Sequence, residues 1–272
     1  MNSLPFDLLR PIVKHLNDDV QSLLAVSLAS RALRVEGQRI LFRTVALLKD
    51  VDAHTKFLTV VASSDLLASL VEEYRQFDLL DAKHHREPLW GLTCRGLQAM
   101  VNLKVLCFCA MGGRPSSQIL RGCRFQLEVF RWESRDDAEQ LLEFLPTQSS
   151  LRVLAVEWIV SPELNTWDIC PGLQVLHGNQ GLLDAFLAGR RIISLKWSPN
   201  IRELHYRLFK NPKYPQEFHY LRYFSYGGLL GRAPLSVIVS HLRVLEVLEL
   251  IGLIYTEVRL NYFTAVAPSH KS

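Results

Sequence analysis

The side chains in this 272-residue sequence that could carry out chemistry are few and poorly spaced for it. Cys107 and Cys109 stand two positions apart, so in a strand they share a face, but neither Cys94 nor Cys123 completes a paired C-x-x-C zinc pattern. His84-His85-Arg86-Glu87 offers imidazole and carboxylate ligands, yet it lies in a polar, Pro-flanked stretch that reads as a solvated connection. Gly112-Gly113-Arg114-Pro115 and Gly227-Gly228-Leu229-Leu230-Gly231 lack both the Lys-Ser/Thr of a phosphate loop and the G-x-G-x-x-G spacing, which leaves them as turns. No serine sits in a G-x-S-x-G elbow, and no cysteine carries the flank of a catalytic nucleophile. The expectation is therefore a protein that is not an enzyme and uses no cofactor or metal. Recognition is the chemistry left to it.

The residues suited to recognition are positioned by a recurring apolar triplet. Leu103-x-x-Leu106-x-Phe108, Leu127-x-x-Phe130-x-Trp132, Leu151-x-x-Leu154-x-Val156 and Leu173-x-x-Leu176 start at intervals of 24, 24 and 22 residues. Ile201-x-x-Leu204-x-Tyr206, Leu221-x-x-Phe224-x-Tyr226 and Leu242-x-x-Leu245-x-Val247 continue the series at 28, 20 and 21. Phe42-x-x-Val45-x-Leu47 and Tyr74-x-x-Phe77-x-Leu79 fit it loosely. The pattern is similar to the leucine-rich-repeat signature, whose period is about 20 to 29 residues. Alternating apolar residues of short strands point one way, and a parallel stack of such strands shares one core.

Helices or turns must return the chain between strands. Ala138 to Leu145 and Gly181 to Ala188 read as return helices, the first behind Asp136-Asp137, where the helix dipole favours negative charge. Ile192-x-x-Leu195-x-Trp197 begins only nine residues before Ile201, too close for two full repeats, and predicts a hairpin or inserted edge strand. The residues between the apolar ones face the open, concave side, the usual binding surface of such a stack. They are Arg131, Glu133, Glu157, His177, Asn179, Lys196, Glu203, His205, Arg207 and Tyr223. Their mixed charge, with His and Tyr among them, suits a protein substrate rather than a phosphate backbone. Trp132 and Trp197 fall at inward positions and are expected in the core.

Ahead of the repeats lies a helical stretch. Leu8, Leu9, Ile12, Val13 and Leu16 recur at helical spacing as one apolar stripe; Asp18 or Asp19 can cap a second helix, and a third is expected from about Ser30 to Leu41. Pro11 predicts a kink, or a first helix regular only after it. A module of about 40 residues has too little interior to bury all this leucine, so the surplus calls for a partner.

Leu4-Pro5, Leu8-Leu9, Ile12, Leu16, Leu23-Leu24-Ala25-Val26-Ser27 and Ser30-Arg31 resemble an F-box, the adaptor-binding motif of substrate receptors in SCF-type (Skp, cullin, F-box) ubiquitin ligases. Gln38-Arg39-Ile40-Leu41-Phe42-Arg43-Thr44-Val45 is similar to the end of the motif in fungal F-box proteins, and Gly189-Arg190-Arg191-Ile192-Ile193 to a Gly-Arg-Pro-Val/Ile segment of fungal F-box proteins with such repeats. The sequence departs from the family at Leu33, where many F-boxes have Trp, and at Phe6-Asp7. The resemblance implies a Skp-family adaptor, and through it a cullin scaffold, contacting Leu4, Pro5, Leu8, Leu9, Ile12, Leu16, Leu23 and Leu24. The repeats would hold an unknown substrate protein. The competing expectation is a leucine-rich interaction scaffold whose N-terminal helices only cap it.

Composition agrees with this class. A hydrophobic content of 49% supports a sizeable core, and a net charge of +4 is too small and dispersed to argue for nucleic acid. No run approaches the roughly 18 apolar residues of a membrane span, and Asp7, Arg10 and Lys14 interrupt any signal-peptide core. Five cysteines, an odd number, suit a reducing compartment, hence an intracellular protein of cytoplasm or nucleus. The fold class expected is α/β: a three-helix F-box module over 1–42, then a leucine-rich-repeat solenoid over 43–272 with parallel strands on the concave face and helices or turns on the convex one. Little polar material follows Ile254 to cap it, so the C-terminal end is expected to be truncated or divergent.

Overall fold

Short polar side chains set the helix starts. Asp19 Oδ1 accepts from the Ser22 amide at 3.0 Å, and Ser30 Oγ accepts from the Leu33 amide at 3.2 Å, each satisfying a donor the first turn leaves spare. These residues open α2 (Val20–Ala29) and α3 (Arg31–Arg43) in the computed structural model, which describes residues 6–46, 51–77, 87–109, 116–133, 138–156, 168–198, 216–227, 240–251 and 265–266. Before them α1 (Phe6–Lys14) runs through Pro11. The late start expected from Pro11 is thus corrected: the helix forms on both sides of the proline and forgoes the bond its nitrogen cannot donate.

Helices α2 and α3 meet at a glycine. A Cβ at Gly37 would lie 2.1 Å from Ser27 Oγ and 3.3 Å from the Leu23 carbonyl oxygen. Gly37→Ala is expected to destabilise the chain by about 1 to 3 kcal/mol, since overpacking outweighs the roughly 1 kcal/mol that alanine returns in helix propensity. A thermal midpoint equal to or above wild type would show that the helices part without cost.

Two compact units divide the chain, Met1–Leu127 and Glu128–Ser272. In the first, β1 (Thr44–Ala46), β2 (Glu73–Phe77) and β3 (Val105–Cys109) pair in parallel, with Val45, Tyr74 and Leu106 in register on the inner face. Helices α4 (Val51–Ala62), α5 (Asp65–Ala68) and α6 (Glu87–Ala99) return the chain between them. A Cβ at Gly96 of α6 would come within 2.9 Å of Leu58 of α4, so glycine sets how closely these two helices pack. The boundary expected after residue 42 falls inside this unit, where α3 packs on α5 and on β1.

The second unit holds β4 (Val129–Glu133), β5 (Val153–Val156), β6 (Val175–Gly178), β7 (Ser194–Trp197), β8 (Tyr223–Tyr226) and β9 (Val247–Leu250), each parallel to the next. The two-residue β10 (Ala265–Val266) pairs antiparallel with β9. Phe130, Leu154, Leu176, Leu195, Phe224 and Leu248 lie in register as one inner row, and all are buried. A second inner row adds Trp132, Val156, Trp197 and Tyr226, with Trp132 and Trp197 buried as expected. Gly178 belongs to that row because a Cβ there would meet the Val156 carbonyl at 2.3 Å and Leu182 at 2.6 Å. Leu182 comes from α8 (Gln180–Phe186), which with α7 (Ala138–Phe144) realises the two expected return helices. The architecture is α/β with parallel strands joined by helices and turns.

Three details of the triplet are corrected. Ile192-x-x-Leu195-x-Trp197 forms no hairpin: β7 lies parallel between β6 and β8, and Ile201, Leu204 and Tyr206 fall outside the described residues. The turn before β7 is fastened instead by Gly189, at φ 71°, and by buried Arg190, which donates to the carbonyls of Phe186 (3.0 Å) and Ile169 (2.8 Å). In β2 the inward residues are Tyr74 and Gln76, so the triplet is Val71-x-x-Tyr74-x-Gln76, and Phe77 is exposed. In β9 it is Leu245-x-x-Leu248-x-Leu250, three residues later than the Leu242 start predicts.

Candidate interaction surfaces

Helix α1 has two different sides. Val13 is buried, and Leu9 and Leu16 at helical spacing from it are half-buried. The Arg10 guanidinium reaches Glu36 of α3 at 3.4 Å, and Arg39 pairs with the same carboxylate at 3.2 Å. Glu36 is buried, so its two partners supply compensation that a buried charge requires. This anchoring turns Leu8 and Ile12, four residues apart, toward solvent at 49% and 50% exposure.

Helix α2 divides in the same way. Leu23 and Ser27 are buried against α3, and Ser27 Oγ donates to the Leu23 carbonyl at 2.7 Å. Val20, Leu24 and Leu28 follow one another at four-residue spacing on the outer side, exposed by 58%, 51% and 79%. Of the eight residues assigned to an adaptor, Leu8, Ile12 and Leu24 are therefore exposed, and Leu9 and Leu16 half-buried. Leu4 and Pro5 lie outside the described residues. Leu23 is a correction: it is 1% exposed and serves the α2–α3 contact. Val20 and Leu28 extend the apolar stripe of Leu24 without having been singled out, and four-residue spacing from Leu24 was the available signal for both; Val35 of α3 is exposed as well.

The outward face of the second unit's sheet carries two rows. Val129, Val153, Val175, Ser194, Tyr223 and Val247 form one in register. Arg131, Ala155, His177, Lys196, Ser225 and Glu249 form the other. Arg131 and Glu133 are exposed, while His177, Lys196 and Tyr223 are half-buried. Glu157, Glu203, His205 and Arg207 lie outside the described residues. Asn179 is corrected: it is 1% exposed, and its Oδ1 accepts from the Leu182 amide at 3.2 Å as the cap of α8. It falls one residue past the end of β6 and is absorbed by the return helix.

Electrostatics vary along this second row. Burial, then the Lys196 and Arg131 cations, push His177 down to about 4, so it is neutral at physiological pH. At β9 the Tyr223 hydroxyl donates to the Glu249 carboxylate and holds it below the usual carboxylate range, with Ser225 adding to the effect. Burial foremost, and this carboxylate after it, raise the Tyr223 phenol. The row therefore runs from basic at β4–β7 to acidic at β9. Glu249 was missed because the triplet set at Leu242 put it out of phase.

Among the described residues no three His, Cys, Asp or Glu side chains are grouped to hold a metal ion. No described helix is long and apolar enough to cross a membrane. His84, His85 and Arg86 lie outside the described residues, whereas Cys107 and Cys109 sit buried on the outward side of β3. No family model matches the chain, and no curated protein matches it.

Proposed function

We propose that the chain is the substrate-recognition subunit of an SCF-type cullin ubiquitin ligase, with α1–α3 as the F-box and the strand repeats as leucine-rich repeats. The pair of uncovered stripes, Leu8–Ile12 on α1 and Val20–Leu24–Leu28 on α2, supports this reading. Both helices already have a buried side turned to α3, so the second apolar side has no work within the helical module. Uncovered apolar surface of this kind marks a partner site. By resemblance that partner is a Skp-family adaptor, which joins the receptor to a cullin scaffold, and the Leu4-Pro5 opening takes part in the contact.

The chain would carry out no covalent step itself. Holding a substrate protein on the outward face of the repeats raises the effective concentration of its lysines near a charged ubiquitin-conjugating enzyme, and proximity supplies the rate. Such a receptor works in the cytoplasm or nucleus.

Co-expression of the full chain with a Skp-family adaptor, followed by co-purification, tests the reading. Wild type is expected to recover the adaptor and to gain solubility from it, since binding the folded state stabilises it by mass action. Ile12→Asp with Leu24→Asp places two charges on exposed positions that the fold does not need. It is expected to lower adaptor recovery at least about tenfold, the effect of roughly 1.4 kcal/mol. If both proteins recover the adaptor equally, or neither does, the helices only cap a leucine-rich scaffold.

A further inference from the structure

Among the described residues, the outward face of β4–β7 carries basic groups with no carboxylate at ion-pair distance, although the Lys196 charge is felt at Glu249 two strands on. Arg131, His177 and Lys196 stand in one row with Ala155 between the first two, and among the described residues no carboxylate forms an ion pair with Arg131 or Lys196. Beside it runs the Val129–Val153–Val175 row, apolar and half-buried. We propose that this face binds an extended acidic peptide segment of the substrate protein, its carboxylates on Arg131 and Lys196 and an intervening apolar side chain over Ala155, beside the valine row. The proposal rests on the substrate-receptor reading and names the class of substrate.

Spacing and charge both support an extended acidic strand. Arg131 and Lys196 are three strand steps apart, about 14 Å at roughly 4.8 Å per step. Residues i and i+4 of an extended chain lie about 13 Å apart on the same side, at roughly 3.3 Å per residue. A segment of the form acidic-x-apolar-x-acidic therefore meets one cation at each end, its central side chain over Ala155 and His177 with the valine row alongside. Burial foremost lowers the proton affinity of His177, and the Lys196 and Arg131 charges lower it further, so the same positive field acts on it in part. A polynucleotide fits less well: Glu133, at the end of β4, and Glu249, on the same row at β9, would oppose a continuous phosphate backbone, and the valines beside Arg131 and His177 offer no aromatic platform for bases.

The test uses the full chain and a fluorescent decapeptide Glu-Ser-Val-Ser-Glu-Ser-Val-Ser-Glu-Ser (the Glu–Val peptide), with the same peptide carrying Lys for Glu (the Lys–Val peptide) and a single-stranded oligouridylate as comparisons. The Glu–Val peptide is expected to bind in a salt-sensitive manner and to raise the His177 pKa measured by NMR, while the Lys–Val peptide does not bind. Arg131→Glu with Lys196→Glu is expected to weaken the Glu–Val peptide at least tenfold, and Arg131→Gln, at an exposed side chain, to weaken it in the same direction without altering the unfolding midpoint. Equal binding of both peptides, displacement of the Glu–Val peptide by the oligouridylate at equal charge, no binding of any probe, or binding unaffected by the variants would overturn the proposal. Adaptor recovery measured in parallel separates the two readings: peptide binding lost with the adaptor retained rejects only the acidic-segment assignment, and the converse rejects only the ligase assignment.

Discussion

Leu154→Ala is expected to lower the unfolding free energy by about 2 to 5 kcal/mol, the range for truncating a fully buried leucine. Leu154 is 0% exposed and lies in register between Phe130 and Leu176, themselves fully buried, at the second position of its triplet. Parallel strands at fixed spacing cannot close up around one shortened side chain, because their ladder bonds hold Phe130 and Leu176 in place. The methyl and methylene groups removed would therefore leave a cavity rather than a relaxed core. Val153→Ala, one residue earlier and on the outward face, is half-buried and should cost no more than about 1 kcal/mol. Denaturant titration of both variants checks the face assignment within a single strand. A loss below about 0.5 kcal/mol at Leu154, or losses equal at the two positions, would contradict the inner row.

The same alternation explains what was legible in the sequence. Strands covered on their inner side must repeat apolar residues at the second and third triplet positions, so Phe130, Leu154, Leu176 and Phe224 were readable as core from spacing alone. Reading slipped wherever the triplet was chemically ambiguous. Gln76 fills an inward position where an apolar residue is expected, because the Tyr74 hydroxyl gives it a hydrogen-bond partner inside, and exposed Phe77 mimics the apolar position one residue later. Leu242, Leu245 and Leu248 are spaced by three, so two phases fit β9 and hydrophobicity could not choose between them. On α1 the adjacent pairs Leu8-Leu9 and Ile12-Val13 straddle the helix, and the packing of α1 on α3, with Val13 buried, decides which member faces inward. Asn179 was lost to a local competitor, since an Asn directly after a strand and before a helix serves as a cap at no cost in register.

Acid should destabilise the first unit through one histidine. His54 of α4 is fully buried; its Nε2 lies 2.6 Å from the Tyr74 hydroxyl, which also lies 2.7 Å from Gln76 Oε1. The hydroxyl has one proton, and giving it to Gln76 makes His54 the Nε2–H donor and leaves Nδ1 as a bare acceptor. Protonation would then place an N–H at Nδ1, which is buried without a hydrogen-bond partner. Burial accordingly pushes His54 down from 6.5 to about 4, with Gln76 opposing it in part. Because the folded state holds its proton less tightly than the unfolded state, the unfolded chain binds more protons between about pH 6.5 and pH 4. Stability is then fully present above about pH 6.5 and falls as pH drops through that window. The loss from this residue is about 3 kcal/mol, at 1.36 kcal/mol per pKa unit. In the second unit His177 shifts in the same direction with a smaller effect, because half-burial leaves its charge partly solvated. Denaturant unfolding measured from pH 7.5 to 4.5 is expected to show this slope, and His54→Gln to flatten it whatever its effect on stability at pH 7.5. A wild-type stability level across that range, or a slope equally steep in His54→Gln, would place the titrating group elsewhere.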